Sequence, residues 1–203
     1  MKKILLLLLG LILIPFSAFA ISLSEIQSDP GRYVKVAEGQ TTTMYVDSYS
    51  IQSLRYAPPY YTIQGKIYYV SYTGNCIEKS TVIFNYDYDR SSVNLRKDLM
   101  PNNPYITDAD RGNALWNEIK ANTGIKFTET DVYTYSLSGD YIETEKNFFD
   151  QSVGGNSPAY HTANYMFYKC YNIYFDPKYD SKNEYYAVSD PPNMHVRATR
   201  YAI

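Results

Sequence analysis

The sequence predicts an α+β domain in which an antiparallel meander sheet packs against one or two helices, behind a cleaved N-terminal signal peptide. Three observations carry this. Tyr60–Thr73 and Cys76–Tyr88 alternate apolar and polar residues over long stretches, joined by Gly74-Asn75. The chain holds 24 Tyr against eight Phe and one Trp, and tyrosine favours pleated, half-buried strands. After Pro158, apolar residues recur at helical spacing: Ala163, Met166, Phe167, Cys170, Ile173 and Tyr174.

The first 20 residues read as a secretory signal. Lys2 and Lys3 form a short positive region, Ile4–Ile14 an apolar run, and Ala18-Phe19-Ala20 the small-residue cleavage site. The run is too short for a spanning helix, which needs about 20 apolar residues. Position 21 is Ile rather than Cys, so that junction offers no thiol to a lipid anchor. The expected location is the periplasm, the cell surface or the medium. Loss of the two signal lysines leaves 17 basic residues against 21 acidic ones, a formal charge of −4. That balance disfavours a nucleic-acid partner, which needs a basic stripe to neutralise phosphates.

Within the mature chain, 21–31 is a lead-in ending in the turn Asp29-Pro30-Gly31, 32–176 a single domain, and 177–203 an irregular extension. Arg32–Val36 and Thr43–Asp47 pair as a hairpin, and Asp47–Ile51 forms a turn or short helical segment. The Gly74-Asn75 pair suits a two-residue hairpin turn, placing Ile67 opposite Val82, Gly65 opposite Phe84, and Ile63 opposite Tyr86. A second tight turn at Asp89-Arg90 returns Ser91–Lys97 as a third strand, with Val93 facing Tyr86 and Leu95 facing Phe84. Thr107 caps a helix bearing Leu115, Trp116 and Ile119, which stops before Gly124. Ile125–Leu137 then turns at Ser138-Gly139 into Asp140–Phe148, with Tyr135 facing Ile142 and Asp131 facing Lys146. The second helix follows Pro158 and is stopped by Asp176-Pro177. His195–Tyr201 forms an edge strand or a tail.

Cys76 and Cys170 are the only cysteines. Two thiols in an exported chain suggest a disulfide, and closing so long a loop would contribute about 4 kcal/mol in the chain-entropy model. The alternative is two buried free thiols.

Little in the sequence points to catalysis. His161 and His195 lie far apart and read as exposed polar residues, and no HExxH, CxxC, GxSxG, Walker or dinucleotide pattern occurs. The carboxylate pairs Asp87/Asp89, Glu143/Glu145 and Asp108/Asp110 read as solvated outer positions. No cofactor and no metal is expected. Tyr60, Tyr68 and Tyr72, on the outer side of the first long strand, and Tyr165 and Tyr168, off the helix stripe, form a candidate contact surface. The competing reading is that a helix or the C-terminal tail covers that strand face.

The signal sequence, Tyr33-Val-Lys-Val36, Tyr45-Val-Asp47 with Ser50-Ile51, the Tyr-rich meander and a Cys-bearing C-terminal helix together resemble the surface-adhesin protein E-like family of small bacterial envelope proteins. The resemblance spans roughly residues 32–175. It implies one antiparallel sheet packed by a helix, a homodimer, and binding of host matrix or serum proteins. Two departures stand out: the missing lipid-bearing Cys and the added helix at 107–124. No binding residue carries over. The functional expectation is a non-enzymatic binding or adhesion module with a protein or glycan partner. A periplasmic module for a glycan or peptide and a carboxylate-dependent hydrolase are the alternatives.

Overall fold

The computed structural model describes residues 21–99, 108–146, 149–176 and 186–187. The signal-peptide reading, Thr107 as a cap, and His195 lie outside these residues. The described order is α1 (Leu23–Ser28), β1 (Tyr33–Glu38), β2 (Thr42–Ala57), β3 (Tyr60–Ser71), β4 (Cys76–Asp87), a 3-10 turn (Tyr88–Arg90), α2 (Ser92–Leu99), α3 (Asp108–Ala121), β5 (Ile125–Ser136), β6 (Tyr141–Glu145), β7 (Phe149–Ser152), α4 (Pro158–Tyr171) and β8 (Tyr186–Ala187). The strands form one sheet in the order β6-β5-β4-β3-β2-β1-β8, with β7 also on β5. It is antiparallel apart from the two-residue β8, which runs parallel to β1. The α+β expectation holds.

Strand alternation divides the side chains between two faces. On the first face, Val46, Ile63, Ile67, Val82, Phe84 and Tyr86 pack against Tyr160, Ala163, Met166 and Phe167 of α4. Leu95 of α2 and Leu115 and Ile119 of α3 extend this core. On the second face, Tyr33, Tyr45, Tyr68, Val70 and Ile77 pack with Ile21 and Ile26. The lead-in is thus a short helix. Ser22 caps it reciprocally with Glu25: the Glu25 N–H donates to Ser22 Oγ at 3.2 Å and the Ser22 N–H to Glu25 Oε2 at 2.7 Å.

The β1–β2 hairpin forms as expected, with Tyr33 opposite Asp47 and Val34 opposite Val46. The expected turn at Asp47–Ile51 is instead an irregular stretch inside β2, which runs on to Ala57. Asp47 Oδ1 accepts from the Tyr49 N–H at 3.1 Å, and Ser50 Oγ accepts from the Lys66 N–H at 2.8 Å. Polar side chains thus fill the gaps where the main-chain ladder is interrupted. Ile51 does return to the core.

The β3–β4 register differs from expectation by two residues: Ser71, not Thr73, faces Cys76, Ile67 faces Ser80, and Gly65 faces Val82. The connection is the four-residue Tyr72–Asn75 loop, in which Asn75 takes a left-handed φ of 51° and Ser71 Oγ accepts from the Gly74 N–H at 3.0 Å. A shift of two preserves the strand period, so Ile67 and Val82 still share the first face.

The third strand expected at Ser91–Lys97 is overturned. Asp87 Oδ1 accepts from the Asp89 N–H, and Ser91 Oγ accepts from the Asn94 N–H, so consecutive caps lead into α2. Leu95 still reaches the core, and β5 takes the place beside β4, with Phe127 opposite Phe84. In the β5–β6 hairpin, Thr134 faces Glu143, as the expected register requires. An irregularity then puts Tyr135 opposite Tyr141 rather than Ile142. Helix α4 ends earlier than its apolar stripe implied: Asn172 adopts φ 52°, a left-handed C-terminal cap, leaving Ile173 exposed.

The expected disulfide is contradicted: Cys76 and Cys170 are both free thiols. Cys170 lies near Tyr86, at the far end of β4 from Cys76. Ten residue steps along β4 take the chain from Cys76 to Tyr86, a span of about 33 Å at ~3.3 Å per residue, far beyond disulfide reach. Burial raises both thiol pKa values, at Cys76 with help from Glu78 and Glu143.

Candidate functional site: an open half of the second sheet face

The second face is covered unequally. Helix α1 shields the end bearing Tyr68, Val70 and Ile77. Beyond it, Thr62, Gln64 and Lys66 of β3, Thr81, Ile83 and Asn85 of β4, and Lys126, Thr128 and Thr130 of β5 share this face and are all at least half-buried to exposed. Three tyrosines frame this open half. Tyr60 is 50% exposed and Tyr133, opposite Lys79, 37%. Tyr49, at 76%, stands at the border beside the Arg32 guanidinium, whose carbon lies 6.0 Å from its ring centroid.

A basic group sits where the covered and open halves meet. Arg32 donates to both oxygens of the buried Asp47 carboxylate, at 3.1 and 2.9 Å. This pairing raises the Arg32 pKa further and fixes its charge. Partial burial and neighbouring Lys66 lower the pKa of Lys79.

At the opposite end, beside the β2–β3 turn, the face sinks into a hollow of about 240 Å³ of mixed polar and apolar lining. Arg55, Tyr60, Thr62, Asn85, Asp87 and Lys126 supply its side-chain chemistry. The Arg55 guanidinium carbon lies 5.6 Å from the Tyr60 ring centroid, and Thr62 Oγ1 donates to Asn85 Oδ1 at 2.9 Å. Its floor depends on Gly124, where φ is 69° and an added Cβ would fall 2.9 Å from the Asp87 carbonyl oxygen. The residue expected to follow the preceding helix therefore also admits the close approach of two chains.

A second hollow, about 130 Å³ and apolar, lies on the first face between the start of α4 and Met44, Ile67, Val82, Phe84 and Phe127.

The five tyrosines singled out from sequence do not converge. Tyr60 lies on the open half. Tyr72 is exposed in the β3–β4 loop, its hydroxyl 3.3 Å from Thr43 Oγ1. Tyr68 is a correction: it is 3% exposed, edge-on to Tyr33 with centroids 5.4 Å apart under α1. Tyr165 and Tyr168 belong to α4, across the sheet, where Tyr165 borders the core and Tyr168 stacks on Tyr174. Tyr49 and Tyr133 went unread because the Asp47–Ile51 irregularity and the left-handed Asp131 reset the alternation locally.

His161 is also corrected, being buried in α4. Glu78 and Glu129 were missed: both are buried, and Ser80 donates its hydroxyl to Glu129. The alternation of Glu78, Ser80, Val82 and Phe84 on one face is the signal that could have found the first. Neither carboxylate lines either hollow. Asp89, Glu143 and Glu145 are exposed, and Asp87 is half-buried. Among the described residues, no three His, Cys, Asp or Glu side chains gather as a metal site.

Neither a known protein family, a curated protein nor a solved structure matches this chain.

Proposed function

We propose that this chain is an exported, non-enzymatic binding or adhesion module of the bacterial cell envelope, and that the open half of its second sheet face is the contact surface. One observation carries the reading: Tyr49, Tyr60 and Tyr133 stand exposed around a sheet face that no described element covers. Aromatic rings with polar tips suit contact surfaces that are wet when unoccupied. The resemblance to surface-adhesin protein E-like proteins supports the same reading. The hollow beside the β2–β3 turn favours a second form of it, a periplasmic module that holds a glycan or peptide.

The test compares the mature protein with a Tyr49→Ser/Tyr60→Ser/Tyr133→Ser variant in binding to immobilised host-matrix proteins and to purified envelope glycan. Tyr165→Ser/Tyr168→Ser serves as the control on the opposite side. The reading requires the triple variant to lose binding while keeping its fold and the control to retain it; equal binding by all three proteins refutes it. Protease accessibility on intact cells separates the surface form from the periplasmic one.

A further inference from the structure

We infer that the hollow between the β2–β3 turn and β5 is a subsite for a single neutral pyranose ring. The inference rests on the binding-module reading and names a ligand class for one part of that surface.

A pyranose presents two chemistries. Its ring carbons form an apolar C–H face, and its rim carries hydroxyls that each donate and accept. A complementary site needs a flat apolar surface together with both donors and acceptors. The hollow supplies these within about 240 Å³, a size for one small ring. Tyr60 offers a half-exposed ring, already flanked on one side by Arg55. Arg55 and Lys126 offer cationic donors, and neither is paired with a carboxylate among the described residues. Asp87, whose Oδ1 already accepts from the Asp89 N–H at 3.2 Å, offers its second carboxylate oxygen as an acceptor. Asn85 has its Oδ1 engaged by Thr62, which leaves the Nδ2 group as its remaining hydrogen-bonding group.

The mixture of signs decides the class. The Asp87 carboxylate offsets part of the charge of the two cations and would repel a bound phosphate or carboxylate, whereas a neutral ring meets no such repulsion. An apolar ligand would leave the Arg55 and Lys126 cations to be desolvated without a carboxylate partner. Vicinal hydroxyls satisfy donors and acceptors together.

The experiment titrates the isotope-labelled mature protein with methyl glycosides of glucose, galactose, mannose and N-acetylglucosamine, following backbone amide shifts. At least one glycoside should move the amides of Arg55, Tyr60, Thr62, Asn85 and Lys126 as a set. Tyr60→Ala should then weaken that glycoside about tenfold, which is ~1.4 kcal/mol, whereas Tyr60→Phe, keeping the ring, should stay within about twofold. Tyr168→Ser, on α4 across the sheet, should leave glycoside binding unchanged. If no glycoside moves these amides, or if Tyr60→Ala binds as well as the parent, the subsite is refuted. The wider reading survives that failure if the Tyr49, Tyr60 and Tyr133 variant still loses its macromolecular partner.

Discussion

The hydroxyl of Tyr86, near the C-terminal end of β4, donates to the main-chain carbonyl of Ala163 in α4 at 2.9 Å. The ring lies 5.0 Å, centroid to centroid, from Phe167 on the same helix. One side chain therefore joins the first face to its covering helix by both packing and a buried hydrogen bond, and burial raises the pKa of its phenol well above the usual range. Tyr86→Phe removes the bond and keeps the ring, at an expected cost of about 1 kcal/mol. Tyr86→Ala empties the site and should cost about 3–5 kcal/mol. Urea unfolding of the two variants checks the difference, and equal losses would show that the ring does not pack as described.

Gly65 allows α4 to lie close to β3. A Cβ placed there would come within 2.7 Å of Met166 Cε, the flexible end of that side chain. Gly65→Ala should be tolerated by rotation of Met166, whereas Gly65→Val should cost about 1–3 kcal/mol through overpacking. Combined with Met166→Ala, the loss should fall short of the two single losses added together by at least about 0.5 kcal/mol. Strict additivity would place Met166 elsewhere.

Both thiols should be recovered free from protein purified under air. Because burial raises each folded pKa, less thiolate is present than in an unfolded chain at the same pH. Alkylation at pH 8.5 should be slower in the native protein than in urea. The sign for stability is equally definite: this contribution is complete below the unfolded thiol pKa and is lost as pH rises through the folded one. A peptide linking Cys76 to Cys170 in non-reducing mass mapping would contradict the strand geometry.

Helix α1 should loosen in acid. The Ser22 N–H and hydroxyl lower the pKa of Glu25, so the stabilisation from its carboxylate is present above the unfolded pKa and lost as pH falls through the folded one. Ser22→Ala should cost about 1 kcal/mol at neutral pH. The gap between parent and variant should shrink on acidification through the folded Glu25 pKa. A gap independent of pH would mean that the reciprocal cap is not formed.

The fold was legible where the strand period or a hairpin supplied the signal. Ile67 and Val82 were assigned to one face correctly even though their register was wrong by two, because alternation survives an even shift. What escaped notice was governed by local polar caps. Ser91 starts a helix where a strand was expected, and Asn172 ends α4 before Ile173. The candidate contact surface was read only in part. Tyr60 and Tyr68 share a strand face, and alternation alone cannot tell the open end from the end covered by α1. That distinction depends on Ile21 and Ile26, far away in sequence, which close over Tyr68.

Tyrosine nitration of the protein, mapped by mass spectrometry, tests that inequality of the second face directly. Tyr49, Tyr60 and Tyr133 should be modified early, and Tyr68 only after the protein unfolds. Early nitration of Tyr68, or protection of Tyr60 and Tyr133 in the unliganded chain, would contradict the open half-face on which the proposed binding role depends.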